Sequence, residues 1–251
     1  MPQMRPYAHK KYRYDMQKIN PGARLSAAAS LVTGGFVADV GTDHGFLPIY
    51  LAESGKIRRA VASDIRPEPL KKARENIAKH ALSDKIETVL TDGLVGLEKY
   101  PLTDIVIAGM GGLTVIEILE KADFVKTRPV HLIIQPMQHV PETRKYLCEN
   151  GYVIDREVLA SDDGKIYQII SAKYGGKSRE LSPTEATLGA YNIAHKGEYP
   201  ELFISLCEKY LSVLKAKTDG YAIAGIDAAQ ETDLMHKIEK EKMAAEEKWQ
   251  P

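Results

Sequence analysis

The chain has 251 residues, of which 44% are hydrophobic and 27% charged, enough for one sizeable core with room for an appendage. Its 34 basic and 34 acidic residues cancel, which argues against a chain that coats nucleic acid through net charge. No apolar run approaches the roughly 20 residues of a membrane span. The opening Met1-Pro-Gln-Met-Arg-Pro6 lacks a signal-peptide core. Cys148 and Cys207 have no metal-like spacing and suggest a reducing compartment, so a cytoplasmic protein without a metal is expected.

Residues 1–23 form a basic segment with Tyr7, Tyr12 and Tyr14 interleaved among its cations. Such a segment either grips phosphates and stacks bases or is a solvated terminus. From Arg24 the pattern alternates. An alanine-rich helix over Leu25–Val32 is broken by Gly34-Gly35. A strand over Phe36–Val40, a helix over Phe46–Glu53 and a strand over Ala60–Asp64 follow. Pro67 suits the first turn of a helix over Pro67–His80, with Leu70, Ala73, Ile77 and Ala81 on one face. Strands are expected over Lys85–Thr91, Thr103–Ala108 and Val130–Gln135, with helices over Leu113–Ala122 and Val140–Asn150. Two further strands, Tyr152–Ala160 and Lys165–Ala172, flank the turn Ser161-Asp-Asp-Gly164 and form an antiparallel hairpin.

Five strand–helix units imply an open, mostly parallel sheet with helices on both faces. The closing hairpin makes the last strand antiparallel. That is the arrangement of a Rossmann-like, class I S-adenosylmethionine-dependent methyltransferase sheet, and a plain dinucleotide fold does not need it. Beyond Gly175 the texture changes. Ser182-Pro-Thr-Glu185 is a helix start. Phe203, Leu206, Tyr210 and Val213 make one helical seam, and Leu234, Ile238, Ala245 and Trp249 a weaker one. The chain therefore divides into a basic segment at 1–23, a methyltransferase-like domain at 24–174, and a helical, coiled-coil-type appendage at 176–251.

Open parallel sheets bind ligands at the carboxyl ends of their strands. Those ends read Asp39-Val-Gly41-Thr-Asp43-His44-Gly45, Asp64-Ile65, Thr91-Asp92-Gly93, Gly109-Met110-Gly111-Gly112 and Gln135-Pro-Met137. Asp64 lies 23 residues after Gly41, where a carboxylate accepts from ribose hydroxyls or merely caps a helix. The first loop lacks the G-x-G-x-x-G spacing of a pyrophosphate site, and Asp39 and Asp43 suit an ammonium and a sulfonium better than a phosphate. Asp92 accepts from an adenine amine or marks a turn before Gly93. His44 is a general base or a packing residue at a helix start. Gly41, Gly45, Gly109 and Gly111 let backbone approach a ligand or make tight turns.

The segments Asp39-Val-Gly-Thr-Asp-His-Gly-Phe-Leu-Pro48, Ile107-Ala-Gly-Met-Gly-Gly112, Ile134-Gln-Pro-Met137 and Gly164-Lys-Ile-Tyr-Gln168 resemble the bacterial tRNA (adenine(22)-N1)-methyltransferase family, TrmK. The likeness spans roughly residues 24–174. It implies S-adenosylmethionine as cofactor, tRNA as partner and methylation of N1 of an adenine in the D-arm region. Met110, Gln135, Tyr167 and Arg24 are then candidates for the base pocket, with Asp43 the candidate for an electrostatic role at the methyl group; Met110 is otherwise plain core, and Gln135 either reads the adenine edge or caps the backbone of the following turn. Arg24 holds either the cofactor carboxylate or a tRNA phosphate. The rivals are a small-molecule methyltransferase, or a module that binds cofactor and RNA without turnover. No oligomeric state is named by these residues.

Overall fold

A computed structural model describes residues 19–249. The basic N-terminal segment lies almost wholly outside the described residues. The elements run α1 (Gly22–Leu31), β1 (Phe36–Val40), α2 (Phe46–Glu53), β2 (Arg59–Asp64), α3 (Pro67–Lys79), β3 (Ile86–Leu90), β4 (Asp104–Met110), α4 (Gly112–Glu120), α5 (Phe124–Thr127), β5 (His131–Pro136) and α6 (Val140–Glu149). There follow β6 (Tyr152–Asp162), β7 (Lys165–Tyr174), α7 (Pro183–Leu188), α8 (Ala190–Ala194), α9 (Pro200–Ala224) and α10 (Ala229–Glu246).

The seven strands lie in the order β3-β2-β1-β4-β5-β7-β6. Strands β1 to β5 pair in parallel, and β7 enters antiparallel between β5 and β6. Strand order reverses at the β1–β4 boundary, where Val40 stands opposite Ile107. The central strands are apolar on both faces because helices cover both. Ala38, Val40, Ile105 and Ile107 point into a core with Val115, Leu119 and Leu147. Val37, Ala62 and Val106 point the other way, onto Ala28, Ile49 and Ile77. This strict alternation keeps the register fixed, since a one-residue slip would exchange the two faces.

Local chemistry explains the element ends. Asp163 and Gly164 both have positive φ, so the hairpin closes through a two-residue turn tighter than the four-residue turn expected. Pro67 begins α3, with Glu68 in its first turn, and Leu70, Ala73 and Ile77 are buried. Ala81 is not on that face: the helix ends at Lys79, Ala81 turns with φ 53°, and Leu82 is buried instead. The Ser182–Glu185 capping box opens α7. Strand β4 continues two residues past Ala108, with a register shift at Gly109.

The C-terminal helices form an antiparallel pair, joined by a short loop after Gly225 and tied by Lys217–Glu231 and Lys242–Glu208 ion pairs. The buried seam uses Phe203, Leu206, Cys207 and Leu214, packed on Ile238 and Ala245. Val213 is exposed, because the 3.6-residue period returns to the Phe203 face at Leu214. Trp249 lies beyond the end of α10 and is also exposed. The pair does not hang free. Its core includes Leu159 of β6, and the fully buried Arg144 of α6 bonds Glu157 of β6, Gln168 of β7 and the carbonyls of Ala186 and Thr187 in α7.

Candidate active site

The site lies at the carboxyl edge of the sheet, on the β1–β4 switch point. Gly41 and Thr42 follow β1, and both amides donate to the Ser63 carbonyl at 2.8 Å, which folds the loop across β2. Gly45, at φ 71°, then caps α2. Gly41 has φ 74°, and a Cβ there would overlap the Met110 methyl. Across the switch point Gly109 has φ 82°, and a Cβ would press within 3.3 Å of the Arg24 guanidinium. Two glycines thus keep open the space between the first and fourth strand ends.

That space is a cavity of about 420 Å³. Of the residues singled out in the sequence, Arg24, Gly41, Asp43, Asp64, Ile65, Asp92, Gly93, Gly109 and Met110 line it. Asp64 is 6% exposed, and its Oδ1 accepts the Arg66 amide at 2.8 Å, which aims the carboxylate at the cavity. Asp92 sits at the rim, 3.6 Å from Lys121. Asp43 is largely exposed on the opposite rim, 3.3 Å from His44 Nε2.

Asp39, His44, Gly45, Gly111 and Gln135 do not line it. Asp39 is buried behind the loop. Burial raises its carboxyl to about 6, the Thr42 hydroxyl opposes this, and the nearby Asp64 charge adds to it. His44 stacks on Phe46 at 5.3 Å between ring centroids, and its carbonyl accepts from Asn76 at 2.9 Å. Gln135 is fully buried. Its Oε1 accepts from Arg24 at 2.7 Å and from the Gly109 amide at 3.1 Å, while Nε2 donates to the Pro136 carbonyl at 2.9 Å. Its amide is therefore committed to the strand ends and does not face a base in this structure.

Thr91, from the third strand end, lines the cavity as well, and so do Ser63, Arg66, Thr114 and Ile118, none of which was expected there from the sequence. Thr114 and Ile118 stand one turn apart on α4, immediately after the glycine-rich end of β4. Their i, i+4 spacing was the available signal.

A second constellation has the look of a nucleophilic relay. Asp104 lies 3.1 Å from His131 Nδ1, and His131 Nε2 lies 2.7 Å from the Ser171 hydroxyl. It stands at the opposite edge of the sheet. Ser171 is buried within β7 and donates to Asp155 of β6, so this group is a staple that ties the starts of β4 and β5 to β7 and β6.

The parallel sheet with its antiparallel β7, and the acid-lined cavity at the switch point, define a Rossmann-like methyltransferase. The family model for a methyltransferase domain matches residues 22–170. The tRNA (adenine(22)-N(1))-methyltransferase of Bacillus subtilis is 33% identical over 163 residues, covering 64% of this chain and 68% of that protein. A Streptococcus pneumoniae protein solved in complex with S-adenosyl-L-methionine is 29% identical with a TM-score of 0.75, covering 87% of this chain and 98% of that one. TrmK of M. capricolum, solved with S-adenosyl-homocysteine, is 26% identical with a TM-score of 0.70, covering 92% and 99%. The chain belongs to the tRNA (adenine(22)-N1)-methyltransferase family.

Proposed function

We propose that this protein transfers the methyl group of S-adenosylmethionine to N1 of adenine 22 in tRNA. The observation that carries the reading is the acid-lined cavity at the β1–β4 switch point of a chain from this family. The donor set fits the cofactor. Three carboxylates, Asp43, Asp64 and Asp92, suit ribose hydroxyls, an adenine amine and positive charge, and two glycines clear the backbone where a Cβ would intrude.

When bound, the cofactor supplies a methyl group on a sulfonium; the N1–carbon bond forms as the carbon–sulfur bond breaks, and the positive charge passes to the adenine ring. N1 of a neutral adenine has an in-plane lone pair, so the chain need not remove a proton before attack. Its residues have to bind, orient and exclude water. We assign Asp64 to the ribose hydroxyls, Asp92 to the adenine amine, and Ile65 and Gly93 to the walls of that base. Arg24, held by Gln135, is assigned to the amino-acid carboxylate, which makes Gln135 a positioning residue. Asp43 is assigned to the positive charge near the reacting centre, and Met110 to the partition between cofactor and acceptor. N1 is engaged when adenine is paired, so the base has to be unpaired or flipped outward.

In this reading residues 24–174 hold the cofactor and 176–251 contribute to tRNA binding. The cytoplasm, where tRNA and reduced cysteines are found, is the location proposed. Among the described residues no helix is long and apolar enough to cross a membrane. The test is transfer from labelled S-adenosylmethionine to unmodified tRNA, followed by mapping of the modified nucleotide. N1-methyladenine at position 22 is expected. Label that enters no RNA would overturn the reading in favour of a small-molecule methyltransferase or a module without turnover.

A further inference from the structure

A second and larger cavity, of about 710 Å³, opens where the C-terminal end of β5 meets the β6–β7 turn and α9. It is lined by Met137 from the first, Lys165 and Tyr167 from the second, and Ser205 and Lys209 from the third. We propose that this cavity receives the target nucleotide, with α9 forming one wall of the acceptor site and Lys165 and Lys209 holding the flanking phosphates. The inference rests on the function proposed above and extends it by giving the helical appendage a place in the active site itself.

Three observations lead there. The first is charge. The cofactor cavity presents Asp43, Asp64 and Asp92 beside Arg24 and Arg66, a mixed lining with an excess of carboxylate, whereas the second presents two lysines and no carboxylate among its described lining residues. The first suits a cation and sugar hydroxyls, the second a polyanion. The second observation is adjacency. The Met137 amide donates to the Met110 carbonyl at 2.7 Å, and the Arg24 guanidinium lies 5.9 Å from the centre of the Tyr167 ring. Met110 and Arg24 line one cavity, Met137 and Tyr167 the other, so the two cavities adjoin along this border. Methyl transfer needs approach to about 3–3.5 Å, so the target base has to reach the methyl group across this border, where the two cavities meet.

The third observation is the chemistry and rigidity of the walls. Tyr167 offers an aromatic face for stacking a base, and Met137, 45% exposed, offers a polarisable apolar one. The α9 wall is fixed in place: Gln168 Nε2 donates to the Tyr210 hydroxyl at 3.0 Å, one residue from Lys209. Lys209 itself donates to the Ile166 carbonyl at 3.3 Å, over the hairpin. Desolvation against the hairpin lowers its pKa, and an arriving phosphate would supply a charge partner that favours the ammonium.

The experiment measures steady-state methylation of an unmodified tRNA transcript bearing adenosine at position 22, with saturating S-adenosylmethionine. The wild type is compared with Lys165→Ala/Lys209→Ala and with Ser205→Trp. The double variant should raise KM for tRNA roughly tenfold or more. It should also flatten the salt dependence of tRNA affinity by about 0.7 log units for each phosphate no longer neutralised. A structural defect alone would not flatten that slope. Ser205→Trp, which fills the cavity, should lower kcat at least about tenfold. Calorimetry should give both variants the wild-type affinity for S-adenosylmethionine, showing that the cofactor site is folded. Wild-type kinetics and salt slope in both variants would overturn this inference while leaving the proposed function standing. If the wild type transfers no methyl group to tRNA, the proposed function falls and this inference falls with it.

Discussion

Asp64→Asn isolates the contribution of one carboxylate to cofactor binding. Asp64 is 6% exposed, lines the cavity, and already uses Oδ1 to accept the Arg66 amide at 2.8 Å. An asparagine retains the volume and, through its amide oxygen, the bond to Arg66, so the loop is kept. It replaces the second acceptor with an N–H donor facing hydroxyls that donate. Hydrogen bonds to a charged acceptor contribute about 1.5–3 kcal/mol each. Losing one outright and weakening another costs about 2–4 kcal/mol, or roughly thirtyfold to several hundredfold in Kd. Isothermal titration with S-adenosylmethionine measures it, and a thermal melt checks the fold. Asp64→Ala should lose slightly more, because the Arg66 amide is then left without its acceptor. An Asn variant that melts like the wild type and binds within about threefold of it would refute the assignment of Asp64 to the ribose.

Other substitutions test the surroundings of the site. Asp39 has a folded-state pKa of about 6, above the ordinary 3.8, through burial first, with the Thr42 hydroxyl opposing and the Asp64 charge adding. Its stabilising contribution is therefore complete below about pH 4 and lost as the pH rises through about 6. Asp39→Asn should flatten the urea midpoint between those values, and cofactor affinity in the wild type should rise with pH across the same window. Arg144→Ala leaves Glu157, whose pKa burial pushes up, without its counter-charge and should cost about 3–5 kcal/mol in urea unfolding, less at pH 5 than at pH 8. Gln135→Leu frees Arg24 and orphans the Gly109 amide, so KM for S-adenosylmethionine should rise about tenfold with little change for tRNA. Gln135→Glu, which keeps the accepting oxygen, should rescue much of that loss.

The general form of the cofactor site was legible because a parallel sheet sends every strand's carboxyl end to one edge. Once the strands around Val40, Asp64, Thr91 and Ala108 were placed, their following residues had to converge. What depends on side-chain direction was not legible. Asp39 near the end of β1 and Asp43 in the loop after it are four residues apart, yet one is buried and the other faces solvent. Gln135 ends a strand in the right place but spends its amide on neighbouring backbone. Arg144 does carry a signal in the chain. Val140, Thr143, Leu147 and Cys148 mark the buried face of α6, and Arg144 falls on that same face. A cation there requires buried partners, and Glu157 and Gln168 on the next two strands supply them.

The Gly175-Gly-Lys-Ser178 stretch reads as a break between two units, but the chain beyond it turns back onto the sheet. Ala186 and Thr187 give their carbonyls to Arg144, and Leu188 and Phe203 cover Leu159 of β6. Cutting after Tyr174 would strip two acceptors from a fully buried guanidinium and uncover apolar surface, at a cost of several kcal/mol. A truncated chain that failed to bind tRNA would therefore report reduced stability as much as a missing binding surface. The informative perturbations are the ones that leave this junction whole. Lys209 is an exposed residue of α9 whose ammonium donates to the Ile166 carbonyl, and its removal leaves the bonds of Arg144 and the apolar side chains of the Leu159 cluster in place. If the appendage works as a wall of the acceptor site, that one exposed cation should alter tRNA kinetics while the melting temperature and the cofactor affinity stay fixed.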